Sequence, residues 1–248
     1  MMNANTSIKE TKLKMLETWA AQHSVEMEKL GNIKAMVNSG SRGIRKPNDP
    51  IQFPDFYYPD NLARDFHNPE DYAWTKDLEN AYPTIKNEAL NIFNDNLLSE
   101  HPQNNELANN GTWKTFFFYK NGVKFEENMV LCPNTAAVID NIPGTSRAGR
   151  VYFSAMTPGT HVTPHCGPHN FKLRCHLGLV TAPEAVIRVG NTIKCWQDGR
   201  CLVFDDSFEH EVWNRSTLTR IVLIVDVWNP VLTPEEIKAL IHIGIPTA

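Results

Sequence analysis

Apolar residues recur at helical spacing near the start of the chain. Ile8, Leu13, Leu16, Trp19 and Ala20 are separated by charged and polar residues, so they fall on one face of a helix. This pattern predicts an amphipathic helix that buries one stripe against the rest of the protein.

A second helical pattern follows a stretch, from about residue 39 to residue 59, that is rich in Gly, Pro, Asp and Asn. That composition predicts a surface loop or linker. Pro69, Glu70 and Asp71 predict a helix start, and the Asn-rich sequence between residues 101 and 111 predicts its end. The apolar positions that favour a helix here are Trp74, Leu78, Ile85, Leu90 and Ile92.

From Trp113 onward the pattern changes to short runs rich in β-branched and aromatic residues. Pro, Gly and Asn break these runs at intervals typical of an antiparallel barrel or sandwich. The runs cover residues 115–119, 150–156, 173–180, 185–189, 201–204, 211–214 and 220–228.

A final helix is predicted after Pro230. Thr233 suits the N-cap, Pro234 suits the first helical position, and two glutamates follow at the positive end of the helix dipole. The helix should end before Gly244. Together the patterns predict a mainly β fold with flanking helices. A helical N-terminal region (1–110) packs on a β-core with a C-terminal helix (111–248), and the two form one compact catalytic unit.

Length and charge limit the class of protein. The chain has 248 residues, 42% of them hydrophobic, which is enough for one substantial core, and its formal net charge is −4. This mild acidity argues against a general nucleic-acid binder. No apolar run approaches the roughly 20 residues that span a bilayer, and the N-terminus lacks the apolar stretch of a secretory signal. The five cysteines include no CxxC pair, so they predict buried or partly buried free thiols in a reducing cytoplasm.

The candidate metal chemistry lies in a histidine-rich segment, residues 161–176. This segment holds four of the nine histidines, and His210 follows an acidic turn further along. Neutral imidazoles bind Fe(II), zinc or copper, and non-haem oxygenases usually add a carboxylate, commonly two residues after the first histidine. Here Gly167 occupies that position after His165. Either His165 is not the first ligand or the site lacks its carboxylate.

Strand alternation groups the basic residues beside these histidines. Lys172, Arg174 and His176 share one face of a strand whose other face is apolar. Such a basic triplet is expected where the face lines a pocket for an anion. Arg220 begins another strand, and its planar guanidinium suits a carboxylate. The β-core therefore offers cations for a dicarboxylate beside two candidate metal histidines.

Four segments closely resemble the aspartyl/asparaginyl β-hydroxylase family: YFSAMTPGTHVTPHCGP, LRCHLGLV, VFDDSFEHEVWN and RIVLIVDVWNP. The resemblance extends from about residue 113 to residue 230, with a weaker match in FYYPDNLARDFHNP upstream. The order of several motifs makes it specific. It implies a double-stranded β-helix core, which is a jelly-roll or cupin-like fold. It also implies a dioxygenase that uses Fe(II), 2-oxoglutarate and O2, with iron held by two histidines and glycine in place of the carboxylate.

The resemblance also implies the roles of individual residues. His165 and His210 would be the iron ligands. Arg220 would pair with the distal carboxylate of 2-oxoglutarate, assisted by Ser154.

Four further positions match residues around the cosubstrate and the substrate. Arg174, which is also a candidate catalytic residue, and His176 would hold the other end of 2-oxoglutarate. Lys172 would face the substrate, and Trp113 would form a pocket wall. Lys172 stands where members that act on folded domains often carry arginine, and His169 stands where a smaller residue is usual. Both departures concern the substrate rather than the cofactor site.

The family name implies hydroxylation at the β-carbon of an Asp or Asn moiety, with succinate and CO2 as co-products. The moiety could be a free amino acid, part of a peptide, or bound to a carrier. Two alternatives remain: a lipid acyl-chain hydroxylase of the same family, and a non-catalytic sensor that binds a metal or a dicarboxylate. No nucleic-acid or membrane-spanning partner is expected, and the sequence does not give the oligomeric state.

The other polar residues of these motifs have simpler interpretations. Asp205 and Asp206 are interpreted as turn or supporting residues that pin the loop before His210. His161 and His169 are interpreted as supporting or surface residues, and Cys166 as a neighbour of a ligand.

Overall fold

The computed structural model describes residues 2–39, 52–59 and 63–245, with side chains from residue 8 onward. Most of the linker predicted at 39–59 lies outside these residues. The helices are α1 (Met2–Gln22), α2 (Gly31–Ser39), α3 (Ala73–Asn94), α4 (Asn104–Leu107), α5 (Glu126–Leu131), α6 (Pro133–Asp140), α7 (Thr145–Ala148) and α8 (Pro234–His242). Short 3-10 turns occupy Met27–Leu30 and Pro69–Asp71.

Two antiparallel sheets form the centre of the protein. Their first strands are β1 (Phe66–His67), β2 (Ser99–Glu100), β3 (Ala108–Asn109), β4 (Trp113–Lys120) and β5 (Val123–Lys124). The remaining strands are β6 (Arg150–Met156), β7 (His161–His165), β8 (Lys172–Val180), β9 (Ala185–Val189), β10 (Thr192–Cys195), β11 (Cys201–Phe204), β12 (His210–Asn214) and β13 (Arg220–Trp228).

The strand order identifies the fold. The larger sheet runs β1-β11-β8-β13-β6-β4-β2, with β5 paired to β4, and the smaller sheet runs β10-β9-β12-β7-β3. Successive strands from β6 to β13 wind between the two sheets, with paired β8 and β11 in one and paired β9 and β12 in the other. This is the winding of a jelly roll. The predicted double-stranded β-helix with flanking helices is confirmed.

Three apolar clusters hold the layers together. One lies between the two sheets and includes Ile187, Val212 and Ile224. A second packs α3, α5 and α6 on the outer face of the larger sheet. A third joins α1, α2 and α8 around Trp19 and Phe171. The larger sheet therefore faces the smaller sheet on its inner side and packs against helices on its outer side.

The predicted bounds of four strands agree with the structure. The runs 150–156, 185–189, 201–204 and 220–228 coincide with β6, β9, β11 and β13. The two-residue strands β1, β2, β3 and β5 were missed, and so were the longer strands β7 and β10. In β7, Val162 alone of five residues is buried, and Pro164 argues against a strand. Hydrogen bonding to β12 and β3 nevertheless fixes it as a strand, because tertiary pairing outweighs local preference.

The predicted helices agree in position, with corrections. Helix α3 begins at Ala73, because Pro69–Asp71 forms a separate 3-10 turn and Tyr72 is extended. Helices α5, α6 and α7, between β4 and β6, were not predicted. Each spans eight residues or fewer, too short for a clear apolar period. Helix α8 has the predicted cap: Thr233 and Glu236 form a reciprocal capping box.

The N-terminal region also contributes to the sheets. Strand β2 pairs with β4, β3 pairs with β7, and β1 pairs with β11. Residues 52–59, termed the crossing segment, lie over two interstrand loops: Phe53 N–H donates to Ser207 O (3.3 Å) and Phe56 N–H to Pro168 O (3.0 Å). Hydrogen bonds as well as apolar contacts therefore join the N-terminal region to the β-core.

Candidate metal and cosubstrate site

Two histidines face each other across paired strands of the smaller sheet. His165 ends β7, His210 begins β12, and the two are partners in the strand register. Their ring centroids are 4.1 Å apart. This distance is short enough for both imidazoles to reach a single ion.

Backbone carbonyls set the tautomer of both rings. His165 Nδ1 lies 2.8 Å from Thr163 O, and His210 Nδ1 lies 2.9 Å from Phe208 O. A carbonyl oxygen can only accept, so each Nδ1 carries the proton and each Nε2 keeps its lone pair. Burial lowers the pKa of both imidazoles, that of His210 well below its ordinary value. Two neutral imidazoles with free Nε2 atoms are a donor set that fits a divalent transition metal.

An inner chamber of about 30 Å³ lies between the sheets beside the two histidines. Ser154 of β6, His176 of β8 and Arg220 of β13 line it, together with apolar residues of the smaller sheet. Trp113 closes one side, and its Nε1–H donates to Ser154 Oγ (3.0 Å). The polar groups of the chamber come from adjacent strands of the larger sheet.

Arg220 is buried, and none of the residues that the structure describes gives it an anionic partner. Its Nε and Nη1 have no hydrogen-bond acceptor among the described residues, and its Nη2 lies against the sulfur of Met156. Its guanidinium lies 4.8 Å from the ring centre of Trp196. Burial lowers the pKa of Arg220 to about 10, so it remains charged at neutral pH. A buried, unpaired cation is costly, and an anionic ligand in this chamber would offset that cost.

His176 adds a second unpartnered group to the inner chamber. Neither of its ring nitrogens has a partner in the described part of the chain. The ring stacks on Trp196 (5.9 Å between centroids) and meets Phe204 edge-on. Burial lowers the pKa of His176 well below its ordinary value, with nearby Arg220 adding to the effect. A neutral imidazole beside Arg220 can donate a further hydrogen bond to an anion.

An outer chamber of about 300 Å³ opens on the other side of the two histidines. Trp113, Tyr152, Arg174, His165 and His210 line both chambers, so the histidine pair lies where they meet. The other charged or ionisable side chains of the outer chamber are Asp55, His101, Arg150, Cys166, His169, Lys172, Asp206 and Asp226.

A buried ion-pair network supports the outer chamber. Arg174 binds Asp226 through Nε (2.8 Å) and Nη2 (3.0 Å), and its Nη1 lies 2.9 Å from Asp206. Burial disfavours the charge of Arg174, but Asp206 and Asp226 outweigh it and raise its pKa well above the ordinary value. The guanidinium is thus fixed between Asp206, in the loop before β12, and Asp226 of β13.

Gly167 leaves the space that the Asp206 carboxylate occupies. A Cβ at residue 167 would lie 2.6 Å from Asp206 Cγ and Oδ1, and 2.7 Å from Oδ2. Gly167 N–H also donates to Asp206 O (2.6 Å). A side-chain carboxylate at position 167 is therefore excluded by packing as well as by sequence.

The predicted site residues converge. His165, Arg174, His176, His210, Arg220, Ser154, Lys172 and Trp113 all line one or both chambers. The predicted faces of β8 and β13 are those that the structure shows. No group of three or more His, Cys, Asp or Glu side chains suited to a metal occurs among residues 2–39, 52–59 and 63–245, so the candidate centre rests on two imidazoles.

Some of the residues that were given simpler interpretations lie as expected, and others do not. Asp205 forms the expected turn, accepting from Ser207 N–H (3.0 Å) and Oγ–H (2.6 Å). His161 lies outside both chambers, where it pairs with Glu211 (3.0 Å). His169 is buried rather than on the surface: its Nε2 lies 3.1 Å from Ile245 O. The cysteines are free, as predicted, although Cys195 is exposed.

Sequence reasoning missed Arg150, Tyr152, His101 and Asp55 as lining residues. Arg150 and Tyr152 share the parity of Ser154 along β6, so alternation alone could have found them. His101 and Asp55 belong to the N-terminal region, and only the tertiary fold brings them to the chamber.

Comparison with known proteins identifies relatives of this chain. Residues 79–230 match the family model described as Aspartyl/Asparaginyl beta-hydroxylase. The human aspartyl/asparaginyl beta-hydroxylase is 38% identical over 184 residues, which is 72% of this chain and 24% of the human protein. The ornithine lipid ester-linked acyl 2-hydroxylase of Rhizobium tropici is 39% identical over 189 residues, covering 71% of this chain and 65% of that protein. The chain therefore spans about a quarter of the human relative and about two thirds of the bacterial one.

Among solved structures, a prolyl hydroxylase from Trichoplax adhaerens in complex with a hypoxia inducible factor peptide superimposes with a TM-score of 0.42. The identity is 11%, and the superposition covers 63% of this chain and 80% of that one. The strand order, rather than this likeness, identifies the fold. Within the described residues, no helix has both the length and the apolar character needed to cross a bilayer.

Proposed function

Since the chain belongs to the aspartyl/asparaginyl β-hydroxylase family, we propose that it is an Fe(II)- and 2-oxoglutarate-dependent hydroxylase acting on the β-carbon of an Asp or Asn moiety. The observation that carries this proposal is the position of the histidine pair. His165 and His210 lie where two chambers meet, and one chamber ends in the unpaired cation Arg220.

His165 and His210 would hold Fe(II) through their Nε2 atoms. Both Nδ1 protons are committed to backbone carbonyls, so the rings are fixed in the tautomer that a metal requires. With two protein ligands instead of three, more coordination positions remain for cosubstrate, O2 and water.

2-Oxoglutarate would bind between the histidine pair and Arg220, with its distal carboxylate in the inner chamber. Arg220 would pair with the distal carboxylate, assisted by Ser154, and Arg174 and His176 would hold the other end. The inner chamber has the charge to select a dicarboxylate, because the guanidinium of Arg220 has no anionic partner among the described residues. When bound, iron and 2-oxoglutarate supply with O2 the oxidising power for insertion of oxygen into an unactivated C–H bond, with succinate and CO2 released.

The residues of this chain then have positioning and shielding roles. Trp113 and Tyr152 separate the inner chamber from solvent, and both are largely buried. Arg174, locked by Asp206 and Asp226, would present a fixed positive edge beside the histidine pair. Together they would keep the oxidising centre dry and the substrate carbon close to it.

The outer chamber favours an amino-acid moiety over an acyl chain. Charged side chains from the crossing segment, β6, β8 and the 205–209 loop line it. An acyl chain would have to displace water from these groups without replacing their hydrogen bonds, which is unfavourable. Similarity alone does not separate the two substrate classes, because the two relatives are 38% and 39% identical to the chain. We propose an Asp or Asn substrate that is free, peptidic or carrier-bound, and that the N-terminal region and the β-core act as one catalytic unit.

The first experiment is anaerobic titration of the protein with Fe(II) and 2-oxoglutarate, followed by visible absorbance. We expect the weak charge-transfer band of the chelate in the wild type. His165→Ala and His210→Ala should lose this band, and both variants should also fail to form succinate. His161→Ala is the matched control, because His161 lies on the same strand as His165 but outside both chambers. It should retain the band.

A band that survives in His165→Ala would overturn the ligand assignment. A folded, metal-loaded wild type without any band would favour the sensor alternative. Mass spectrometry of Asp-containing peptides and of an ornithine-type lipid, each incubated with the active protein, would then separate the two substrate classes.

A further inference from the structure

The wall of the larger sheet carries cations at both of its ends. Strands β6, β13 and β8 lie side by side, and their chamber-facing residues form rows across the sheet. Ser154 and Arg220 lie at the inner end. Arg150 of β6 and Lys172 of β8 lie at the outer end, each four residues from the Ser154 or His176 of its own strand. At about 3.3 Å per residue, Arg150 and Lys172 lie ~13 Å along their strands from Ser154 and His176 respectively.

Within the described residues, the side chains of the two outer cations have no directly bonded acid, although Asp226 and Asp206 lie near enough to Lys172 to favour its charge. Neither the side chain of Arg150 nor that of Lys172 forms a hydrogen bond or an ion pair with any described residue, whereas Arg174, two residues from Lys172 on β8, binds both Asp206 and Asp226. Lys172 is almost fully buried, and burial lowers its pKa. Two cations that share a chamber repel one another, and an anion between them would relieve this repulsion.

A neutral donor lies beside these cations. His101 is 2% exposed, and its ring stacks on Trp113 with centroids 3.5 Å apart. Gln103 N–H donates to His101 Nδ1 (3.1 Å), so Nε2 carries the proton. That Nε2–H has no acceptor in the described part of the chain. Buried donors are rarely left unpaired, so the wall lacks an acceptor that a ligand can supply.

We propose that Arg150, with Lys172 and His101, forms an outer anion site that binds a second carboxylate of the substrate. The proposal rests on the function proposed above and narrows its substrate class. Lys172 would bind one carboxylate of the substrate, and Arg150 would bind the other. The substrate is then a small dicarboxylate, such as an aspartyl compound whose α-carboxyl group is free, rather than an aspartyl residue within a folded domain.

The choice of a carboxylate follows from the shape of the donor. The guanidinium of Arg150 presents paired N–H groups in a plane, which matches the two oxygens of a carboxylate. An aspartyl residue in the middle of a peptide has no free α-carboxylate and would leave Arg150 unpaired. Arg150 therefore acts as a specificity-determining residue that distinguishes free from internal aspartyl groups.

The test compares the affinities of two ligands for the wild type and for variants of Arg150. The ligands are N-acetyl-L-aspartate and its α-amide, which differ in one carboxylate. Dissociation constants are measured by anaerobic calorimetry with Fe(II) and 2-oxoglutarate present. In the wild type we expect the dicarboxylate to bind about tenfold more tightly than the amide, as a charge-assisted hydrogen bond implies. In Arg150→Gln we expect the ratio to fall to about one, and in Arg150→Lys to lie between.

Arg215→Gln is the matched control. It removes the same charge from an arginine that is exposed and packs over Trp213 outside both chambers. Its ratio should equal that of the wild type. A wild-type ratio near one, or a tenfold ratio that persists in Arg150→Gln, would overturn the outer anion site.

The chelate band recorded on the same samples keeps the two proposals distinguishable. A wild type that shows the band but binds neither ligand also overturns the outer site, and it leaves the hydroxylase proposal intact. Loss of the band in the wild type contradicts the hydroxylase proposal itself.

Discussion

Arg220 is a residue whose charge the protein leaves uncompensated within its described part. Side chains of this kind are almost always paired when buried, because desolvation of an unpaired charge costs several kcal/mol. The chain accepts this cost beside Ser154 and His176, which are also buried. A substitution that removes the charge of Arg220 should therefore raise the stability of the ligand-free protein and lower its affinity for an anion.

Replacing Arg220 with Met should separate these two effects. We expect 2-oxoglutarate affinity to fall by at least about tenfold, through loss of a charge-assisted contact. We also expect the ligand-free protein to gain on the order of 1 kcal/mol, because a flexible apolar side chain replaces the unpaired cation. Thermal unfolding with and without 2-oxoglutarate measures both. Arg188→Met, which breaks ion pairs with Glu209 and Glu211, is the control and should not stabilise.

Gly167 gives a second prediction for a single residue. A methyl group there would meet the Asp206 carboxylate well inside van der Waals distance. Gly167→Ala should destabilise the protein by about 1–3 kcal/mol, as overpacking does, and weaken metal binding by displacing the loop. Gly167→Asp should likewise fail to add a third ligand. Calorimetric iron titration checks this, and restored iron affinity with enhanced turnover in Gly167→Asp would contradict it.

At the scale of elements, the crossing segment and helix α8 support the two loops that bring the candidate ligands together. Tyr58 links the crossing segment to the loop after His165 and to α8. Its N–H donates to Asn170 Oδ1 (2.6 Å), and its hydroxyl donates to Glu236 Oε1 (2.9 Å). Glu236 also completes the capping box of α8 with Thr233. The loop after His165 is therefore tied to a helix distant in sequence.

The cap of α8 should affect stability but not chemistry. Thr233→Ala removes the hydroxyl that accepts from Glu236 N–H (3.2 Å). We expect a loss of about 1 kcal/mol in the free energy of unfolding, measured by urea titration, and unchanged affinity for 2-oxoglutarate. Thr217→Ala, in an exposed turn, is the matched control and should lie within about 0.5 kcal/mol of the wild type. A cap effect no larger than that of Thr217→Ala would show that packing alone holds α8.

At the scale of the whole molecule, the protein buries several histidines in neutral form. Burial lowers the pKa of His101 to about 3, and those of His169 and His176 well below their ordinary value. In the unfolded chain each would titrate near 6.5. The unfolded state therefore binds more protons than the folded state once the pH falls below about 6.5.

The free energy of unfolding should therefore fall as the pH falls below about 6.5. The stability that these three histidines contribute is complete above pH 6.5 and is lost progressively as the pH falls toward their folded pKa values. Each group should cost up to about 1.4 kcal/mol per pH unit in that window. Urea unfolding between pH 7.5 and 5.5 measures the slope. His176→Phe, which keeps the ring contacts with Trp196 and Phe204, should reduce the slope by one group, and an unchanged slope would contradict the argument.

The sequence by itself determined the larger part of the fold. Runs of β-branched and aromatic residues bounded by Pro, Gly and Asn defined the strands that form the wall of the chambers, β6, β8 and β13, and these strands are buried along almost their whole length. The cap of α8 was equally local, since Thr233 and Glu236 satisfy each other within one turn. The motif order around His165, Gly167 and His210 was sufficient to predict the family, which the comparisons confirm.

Only the tertiary structure decided how these pieces meet. Strand β7 has little apolar character, and pairing with β12 makes it a strand and places His165 opposite His210. Strand register brings Asp226 to Arg174, and a loop closure brings Asp206 there from the other side. His101 reaches the outer chamber from the N-terminal region in the same way. Such contacts join residues far apart in the chain, and local preferences cannot encode them because each depends on the partner that the fold supplies.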